Sequence, residues 1–285
     1  MKSRIRAIIV KVLTLTIGNL FVFCQPQKAI ELSEKGITNL RNTSRLTWKE
    51  KLMRRAILNK AKKNRDYNSL AKFHQNYWSN QGHDFFSLTK DRMENEYLPE
   101  YKLMFDILHE QLIKVPNQFS TLVEIGTGDG CVLNYLSSKF PKITRMVGID
   151  LSEVQIENNK VHYIENPKLE FVAADGFDWV DKHGHENMVF VTFRGVLEYF
   201  TEQRLQEFFD KLNGLGKIIF FAIEPNGLDH DFRTNPNSQI YGSECAFSHN
   251  YPKLFKNAGF NIWHLSKKIE GEHSDITCII GAKNF

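Results

Sequence analysis

The chain has 285 residues, 42% of them hydrophobic, which is enough for one α/β domain of ordinary size with an appendage. Its four cysteines form no C-x-x-C pair and have no histidines at metal-ligand spacing, which argues against a disulfide framework or a zinc site and favours a reducing compartment. The net charge of +4 conceals a basic arm, since 17 of the 37 Lys and Arg but only 4 of the 33 Asp and Glu lie in residues 1–72; such an arm favours an anionic partner, either a membrane surface or nucleic acid.

The first 24 residues begin with cations (Lys2, Arg4, Arg6 and Lys11) and continue with an uncharged run from Val12 to Phe23. The run is too short for a comfortable membrane span, which needs about 20 apolar residues. A charged start followed by an apolar run is also the form of a secretory signal, but no small-x-small cleavage site precedes Cys24. We therefore expect an uncleaved peripheral or anchoring segment, with a misplaced start or a disordered tail as the alternative.

The segment from Thr43 to Lys72 is rich in Lys and Arg, and Trp48, Leu52 and Ala56 recur in it at helical spacing. This pattern predicts either a basic amphipathic helix on anionic lipid or an ordinary first helix whose apolar stripe packs on the protein. We assign residues 1–72 to a basic N-terminal extension. Residues 73–119 are aromatic and polar and include an amphipathic stretch, Tyr101–Ile113, so we expect a helical cap region there.

From residue 120 onward, strand and helix patterns alternate, which predicts a mostly parallel sheet with helices on both faces. The last two strands have no helix between them and should pair antiparallel. The expected strands are 122–125, 145–150, 169–173, 187–193, 217–223, 260–265 and 275–282, and the expected helices are 131–140, 153–164, 201–212 and 251–258.

The first strand ends in a glycine turn with the spacing G-x-G-x-G, formed by Gly126, Gly128 and Gly130. Glycine lets the backbone approach a ligand closely because it tolerates positive φ and has no side chain. Cys131 stands where a nicotinamide or flavin binder would have its third glycine, so the dinucleotide fingerprint is not matched. With Glu124 two residues before the first glycine, the turn resembles motif I of the class I S-adenosylmethionine (SAM) dependent methyltransferases.

This resemblance covers about residues 120–283, and we assign 120–285 to the methyltransferase domain. It implies a doubly wound α/β fold with a mostly parallel seven-stranded sheet, helices on both faces, an antiparallel C-terminal strand pair and a helical N-terminal extension. The segment FRGVLEYF (Phe193–Phe200) also looks like the stretch after the fourth strand in this family. The implied cofactor is SAM.

The residues that the resemblance places at the cofactor lie at the ends of successive strands, where ligands bind in doubly wound sheets. The glycine turn would hold the methionine and ribose portion of SAM, Asp150 the ribose hydroxyls, and Asp175 the adenine amine. Glu124 would orient the turn. The full expected set is Glu124, Gly126, Thr127, Gly128, Gly130, Asp150, Leu151, Asp175, Gly176 and Arg194.

A hydroxyl acceptor needs a base to take its proton, and the sequence leaves that base open. The candidates on the acceptor side are Glu198, Tyr199, Glu224 and His249, with Arg194 and His230 nearby. We expect a cytoplasmic SAM-dependent methyltransferase that modifies an O or N atom of a small molecule; the apolar, basic arm favours an amphiphilic acceptor and a peripheral membrane position. An RNA methyltransferase that uses the arm is less favoured because the body is acidic, and a non-catalytic scaffold is the third alternative.

Overall fold

The computed structural model describes residues 9–10, 12–38, 46–116, 118–269 and 275–285. The chain forms two compact units, of which unit 1 comprises residues 1–81 and 242–246, and unit 2 comprises residues 82–241 and 247–285. The cations Lys2, Arg4, Arg6 and Lys11 lie outside the described residues. The predicted boundaries after residues 72 and 119 stay a prediction.

Unit 1 is helical. A π-helical turn (Thr14–Gly18) leads into α1 (Asn19–Cys24), and α2 (Pro26–Lys35), α3 (Trp48–Lys63) and α4 (Tyr67–Arg92) follow; α4 continues into unit 2. A capping box begins α3, because Thr47 Oγ1 accepts from Glu50 N and Glu50 Oε2 accepts from Thr47 N. The apolar positions Leu52 and Ala56 of this basic helix are buried, whereas Trp48 is exposed.

Unit 2 begins with the end of α4, and a π-helical turn (Met93–Tyr97) and two helices, α5 (Leu98–Tyr101) and α6 (Met104–Ile113), precede the first strand. The helix expected from Tyr101 to Ile113 therefore begins at Met104. Tyr101 instead ends α5, where its side chain is fully buried. This region gives the sheet one helical cover, because Phe105 and Leu108 belong to a core cluster with Leu122, Val189 and Phe221.

A seven-stranded sheet with the order β3-β2-β1-β4-β5-β9-β8 is the centre of unit 2. Strands β1 to β5 are parallel, and β9 pairs antiparallel with both β5 and β8. This arrangement confirms the predicted fold class. The seven strands are β1 (Thr121–Ile125), β2 (Arg145–Asp150), β3 (Leu169–Ala173), β4 (Met188–Phe193), β5 (Ile218–Gly227), β8 (Asn261–Ile269) and β9 (Asp275–Lys283), and two short strands, β6 (Gln239–Tyr241) and β7 (Ala246–Ser248), form a second sheet.

Helices cover both faces of the seven-stranded sheet. They are α7 (Cys131–Lys139), α8 (Glu153–His162), α9 (Gly176–His183), α10 (Glu202–Gly214) and α11 (Tyr251–Asn257). On one face α9, α10 and α11 bury phenylalanines against β4 and β5, among them Phe208 and Phe255 with Phe220. On the other face α6 packs against β4 and β5, and α7 and α8 pack against β2 and β3. The strands are therefore apolar on both sides, as expected of a parallel sheet between helices.

The fifth strand is longer than predicted. Glu224, Pro225, Asn226 and Gly227 continue β5 because β9 pairs with them, from Glu224 opposite Cys278 to Gly227 opposite Asp275. The sequence suggests a turn at these residues, since Pro, Asn and Gly are depleted in strands. Glu224 is therefore part of the strand, two residues after Ala222. Because Thr192 of β4 pairs with Ala222, the side chains of Glu224 and Thr192 lie on the same face of the sheet.

Candidate cofactor and acceptor site

The glycine turn between β1 and α7 has the backbone that close approach to a ligand requires. Gly126, Gly128 and Gly130 have φ values of +72°, +52° and +77°. A Cβ on Gly126 would lie 2.5 Å from a methyl carbon of Val196, and a Cβ on Gly128 would lie 2.9 Å from the ring of Phe86. Larger residues at these two positions would therefore meet both backbone strain and neighbouring side chains.

The carboxylate of Asp150, at the end of β2, lies directly against this turn. Its Oδ2 accepts from Gly128 N at 3.0 Å, and its Oδ1 accepts from Ser152 N at 3.0 Å. The side chain of Asn159 holds the same turn by donating to Gly128 O at 2.8 Å. Burial raises the pKa of Asp150, and the N–H groups oppose that rise. A carboxylate offers about four acceptor positions, so Asp150 can accept from further hydroxyl groups.

Glu124 lies on β1 beneath the turn and is almost completely buried. Its Oε2 accepts from Thr127 Oγ1 at 2.7 Å. Burial raises the pKa of Glu124 to about 8, so at neutral pH the carboxyl is mostly protonated. The side chain thus holds Thr127 and the turn from below, and its role at a cofactor stays a prediction.

Asp175 follows β3 and begins α9. Its Oδ1 accepts from Phe177 N at 2.9 Å and from Asp178 N at 3.4 Å, and its Oδ2 forms an ion pair with Arg204 at 2.8 Å. Gly176 starts the helix, and a Cβ there would lie 2.5 Å from Ile125. The carboxylate therefore serves as the N-cap of α9 and as the partner of Arg204, which leaves it little further acceptor capacity.

Leu151, the residue directly after Asp150, is half-buried.

Arg194 directly follows β4 and has a positive φ of +55°, which is uncommon for a residue with a side chain. Its backbone N donates to Ile223 O at 2.7 Å. The guanidinium lies over the ring of Tyr97 at 4.2 Å and donates to the hydroxyl of Tyr101 at 3.0 Å. Burial lowers the pKa of Arg194. The side chain therefore joins the end of β4 to the helical region before β1.

Glu224 holds the loop that follows Arg194. Its Oε2 accepts from Val196 N at 3.0 Å and from Leu197 N at 3.2 Å. Its side chain also meets the hydroxyl of Thr192 on β4, and this hydrogen bond is among the contacts that oppose the rise of its pKa. The side chain has no exposed surface, and burial raises its pKa to about 7. Since Val196 packs on Gly126, Glu224 connects the end of β5 to the glycine turn.

Glu198 and Tyr199 lie in a short 3-10 helix, Leu197–Tyr199, after this loop. The hydroxyl of Tyr241 donates to Glu198 Oε2. Burial and the neighbouring Glu198 raise the pKa of Tyr241 well above its ordinary value. Glu198 is 8% exposed and Tyr199 is half-buried, so of the four candidate bases these two retain exposed surface.

His249 and His230 lie inside the long loop between β5 and α11. His249 Nδ1 lies 2.6 Å from Ser238 Oγ, and burial lowers its pKa to about 4. His230 Nδ1 lies 2.9 Å from Ser248 Oγ, and its Nε2 lies 3.0 Å from Asn235 O. Both histidines hold the loop together, and His249 has no exposed surface through which it could meet an acceptor.

Comparison with known protein families identifies the family to which the chain belongs. The sequence model of a family described as a methyltransferase domain matches residues 95–265, which is more than half of the chain. The chain belongs to this family. The match runs from the helices before β1 into β8, so it includes the glycine turn, Asp150, Glu198 and Glu224. No curated protein sequence matches this chain.

Two solved structures have a fold similar to that of this chain. Magnesium protoporphyrin IX methyltransferase from Synechocystis PCC 6803 with bound SAM is 12% identical, has a TM-score of 0.52, and is matched over 76% of this chain and 97% of its own. The same enzyme with bound S-adenosylhomocysteine (SAH) is 13% identical, with a TM-score of 0.53, and is matched over 76% and 100% of the two chains. At these identities the likeness concerns the fold.

SAM is the cofactor of the methyltransferase family, and the residues present here fit it. The three glycines give the turn the positive-φ backbone of a close ligand approach, and the Asp150 carboxylate beside them retains acceptor capacity for ribose hydroxyls. Both features lie at the carboxyl ends of β1 and β2, where doubly wound sheets bind their ligands. Among the described residues no group of three or more His, Cys, Asp or Glu is placed to hold a metal.

Several residues of the site are not identified by sequence reasoning. Asn159 on α8 holds the turn, Arg204 on α10 pairs with Asp175, and Tyr241 pairs with Glu198. Arg204 and Tyr241 are far from their partners in the chain, and no local spacing connects them. Asn159 has a weak local signal, because it is a polar residue at a buried position of α8.

Proposed function

We propose that this chain transfers a methyl group from SAM to an O or N atom of a small molecule. The observation that carries the proposal is the contact between Asp150 and the positive-φ turn of Gly126, Gly128 and Gly130, which forms a cradle suited to SAM. When bound, SAM supplies a methyl group on a cationic sulfur that a nucleophile can displace. The structural neighbours are named for methylation of magnesium protoporphyrin IX, which supports a small acceptor.

In this proposal the chain contributes mainly by binding and orientation, which can supply much of the rate of a displacement. The glycine turn, Asp150 and Glu124 form the cofactor side. Arg194, Glu198 and Tyr199, after β4, form the acceptor side, and we assign the acceptor proton to Glu198 because, unlike Glu224, it retains exposed surface. Glu224 and His249 position the surrounding loops, because both are fully buried.

The first test is a calorimetric titration of the full chain with SAH. We expect binding, and we expect Asp150→Ala to weaken it by about tenfold or more, because hydrogen bonds to a charged group contribute about 1.5–3 kcal/mol. Asp210→Ala, an exposed position on α10, is the matched control and should bind SAH like the native chain. Absence of heat with the native chain, or equal affinity in Asp150→Ala, would contradict the cofactor site.

The second test separates the three possible functions. The chain is incubated with methyl-labelled SAM and either a small-molecule and lipid extract or total RNA. Label in a small molecule supports our proposal, and an organic-soluble product supports the amphiphilic acceptor that the N-terminal sequence favours. Label in RNA supports an RNA methyltransferase. SAH binding without transfer to either extract supports a scaffold.

A further inference from the structure

The N-terminal helical residues of unit 1 carry an exposed apolar stripe. Residues 9–10 and 12–24 are helical, and five large apolar side chains along them are more than half exposed, reaching 83% at Phe23. The opposite side is closely packed, since a Cβ on Gly18 would lie 2.9 Å from the carbonyl oxygen of Leu52 in α3. The exposed members are Ile9, Val12, Leu15, Leu20 and Phe23.

An aromatic pair and a lysine extend this stripe. Trp48, the first residue of α3, is 61% exposed, and its ring lies edge-to-face with Phe21 at 5.6 Å. Lys49 Nζ lies 5.7 Å from the centre of the Phe21 ring and 5.8 Å from that of Trp48. We call the five stripe residues together with Phe21, Trp48 and Lys49 the N-terminal face. Tryptophan and lysine side chains of this kind are typical of the boundary between lipid and water.

The charge of unit 1 complements an anionic surface. Helix α3 continues from the N-terminal face with further exposed cations, Arg55, Lys60, Lys62 and Lys63. Of the few acids in this part of the chain, Glu31 and Glu50 both pair with Lys28. Basic residues beside an apolar helix face favour membranes that contain anionic lipids.

The apolar stripe and the neighbouring cations together favour a membrane surface over nucleic acid or a second copy of the chain as the partner. Nucleic acid would meet the cations but would leave the apolar stripe in water, and a second copy of the chain would cover the stripe without needing the cations. In the part of the chain that the structure describes, no helix has the length and apolar character of a membrane span. A contiguous exposed apolar surface of this kind marks an interaction site rather than ordinary surface.

We propose that the N-terminal face docks on the surface of an anionic membrane, with Leu20, Phe23 and Trp48 entering the headgroup region and the cations of α3 beside the lipid headgroups. An amphipathic helix in this position lies in the plane of the interface. This docking concerns unit 1 and does not rest on the methyl-transfer reaction. It would nevertheless bring the chain to a surface where amphiphilic molecules are concentrated.

The test is sedimentation of the full chain with vesicles of phosphatidylcholine alone or with added phosphatidylserine, at low and high salt. We expect binding to the anionic vesicles that weakens with salt. The double variant Leu20→Ser/Phe23→Ser should lower the partition coefficient by about 30-fold, since two largely exposed apolar side chains lose their burial in lipid. Val161→Ser/Ile164→Ser, two residues of unit 2 that are 75% and 76% exposed, is the matched control and should bind like the native chain.

Three outcomes would overturn the proposal: no vesicle binding by the native chain, equal partition of Leu20→Ser/Phe23→Ser and the native chain, or equal binding to neutral and anionic vesicles. A concentration-dependent dimer that the variant loses, without vesicle binding, would identify a second copy as the partner instead. Circular dichroism and SAH titration of the same preparations show whether the variant is folded. They also distinguish failure of membrane docking from failure of the proposed cofactor site.

Discussion

Replacement of Glu224 by glutamine tests whether this buried carboxyl is neutral in the folded chain. Its Oε2 accepts from Val196 N and Leu197 N, and an amide oxygen can accept from both groups in the same way. Its side chain also meets the hydroxyl of Thr192 on the same face of the sheet. A hydroxyl can accept from an amide or a protonated carboxyl and can donate to a carboxylate, so glutamine can keep this contact. We therefore expect Glu224→Gln to fold normally.

The size of the effect follows from the pKa of Glu224. Burial raises this pKa from an ordinary 4.5 to about 7 in the folded chain. The unfolded chain thus releases the proton at lower pH than the folded chain, and the free energy of unfolding falls as pH rises between those two values. At 1.36 kcal/mol for each unit of pKa shift, the free energy of unfolding falls by about 3 kcal/mol over the whole pH range. About 2 kcal/mol of this decrease occurs between pH 5 and pH 7.5.

The assay is urea unfolding of the native chain and of Glu224→Gln at a series of pH values from 5 to 8, followed by circular dichroism. The difference in free energy of unfolding between the two chains removes the contribution of all groups that they share. Relative to the native chain, Glu224→Gln should become more stable by about 2 kcal/mol as pH rises from 5 to 7.5. Glu207→Gln, on the exposed side of α10, is the matched control for removal of a carboxyl that is not buried.

A difference between native chain and Glu224→Gln that stays constant from pH 5 to 7.5 would refute the reasoning. It would mean that Glu224 is ionised in the folded chain and is stabilised there by the N–H groups of the loop after β4. A difference that changes in the opposite direction would mean that the carboxylate is more stable in the folded chain than in water.

Two further substitutions test the cofactor side of the site. Gly126→Ala should lower the free energy of unfolding by about 1–3 kcal/mol and weaken SAH binding, because φ is +72° and the new Cβ would lie 2.5 Å from Val196. Urea unfolding measures the first effect and calorimetry the second. Unchanged SAH affinity would contradict a role for the turn. Asp175→Ala should lower the free energy of unfolding by about 1–2 kcal/mol, because the N-cap of α9 is lost. Asp175→Asn keeps a side-chain acceptor and should lower it by less. Equal losses for the two variants in urea unfolding would contradict the capping role.

Local patterns in the chain predicted the order of the seven strands of the main sheet and four of the helices around it, but not α9 or the short strands β6 and β7. Strands β2 and β3 have the predicted bounds, and Ser152 caps α8 as expected, with its Oγ accepting from Gln155 N at 3.4 Å. The extension of β5 through Glu224 to Gly227 was not predictable, because β9, which is about 50 residues further along, supplies the partner strand. Pairing between distant segments overrides local turn propensity at these four residues.

The sequence by itself determined the glycine turn, the acids Glu124 and Asp150 at the strand ends, and through them the resemblance to SAM-dependent methyltransferases. These features can be read locally, since a turn with positive φ needs glycines at particular positions. Only the tertiary structure decided that Tyr241 meets Glu198, that Asp175 pairs with Arg204 and that Glu224 holds the loop at Val196. Such contacts join residues far apart in the chain, and the pKa shifts of buried carboxyls depend on how completely the folded chain excludes water around them.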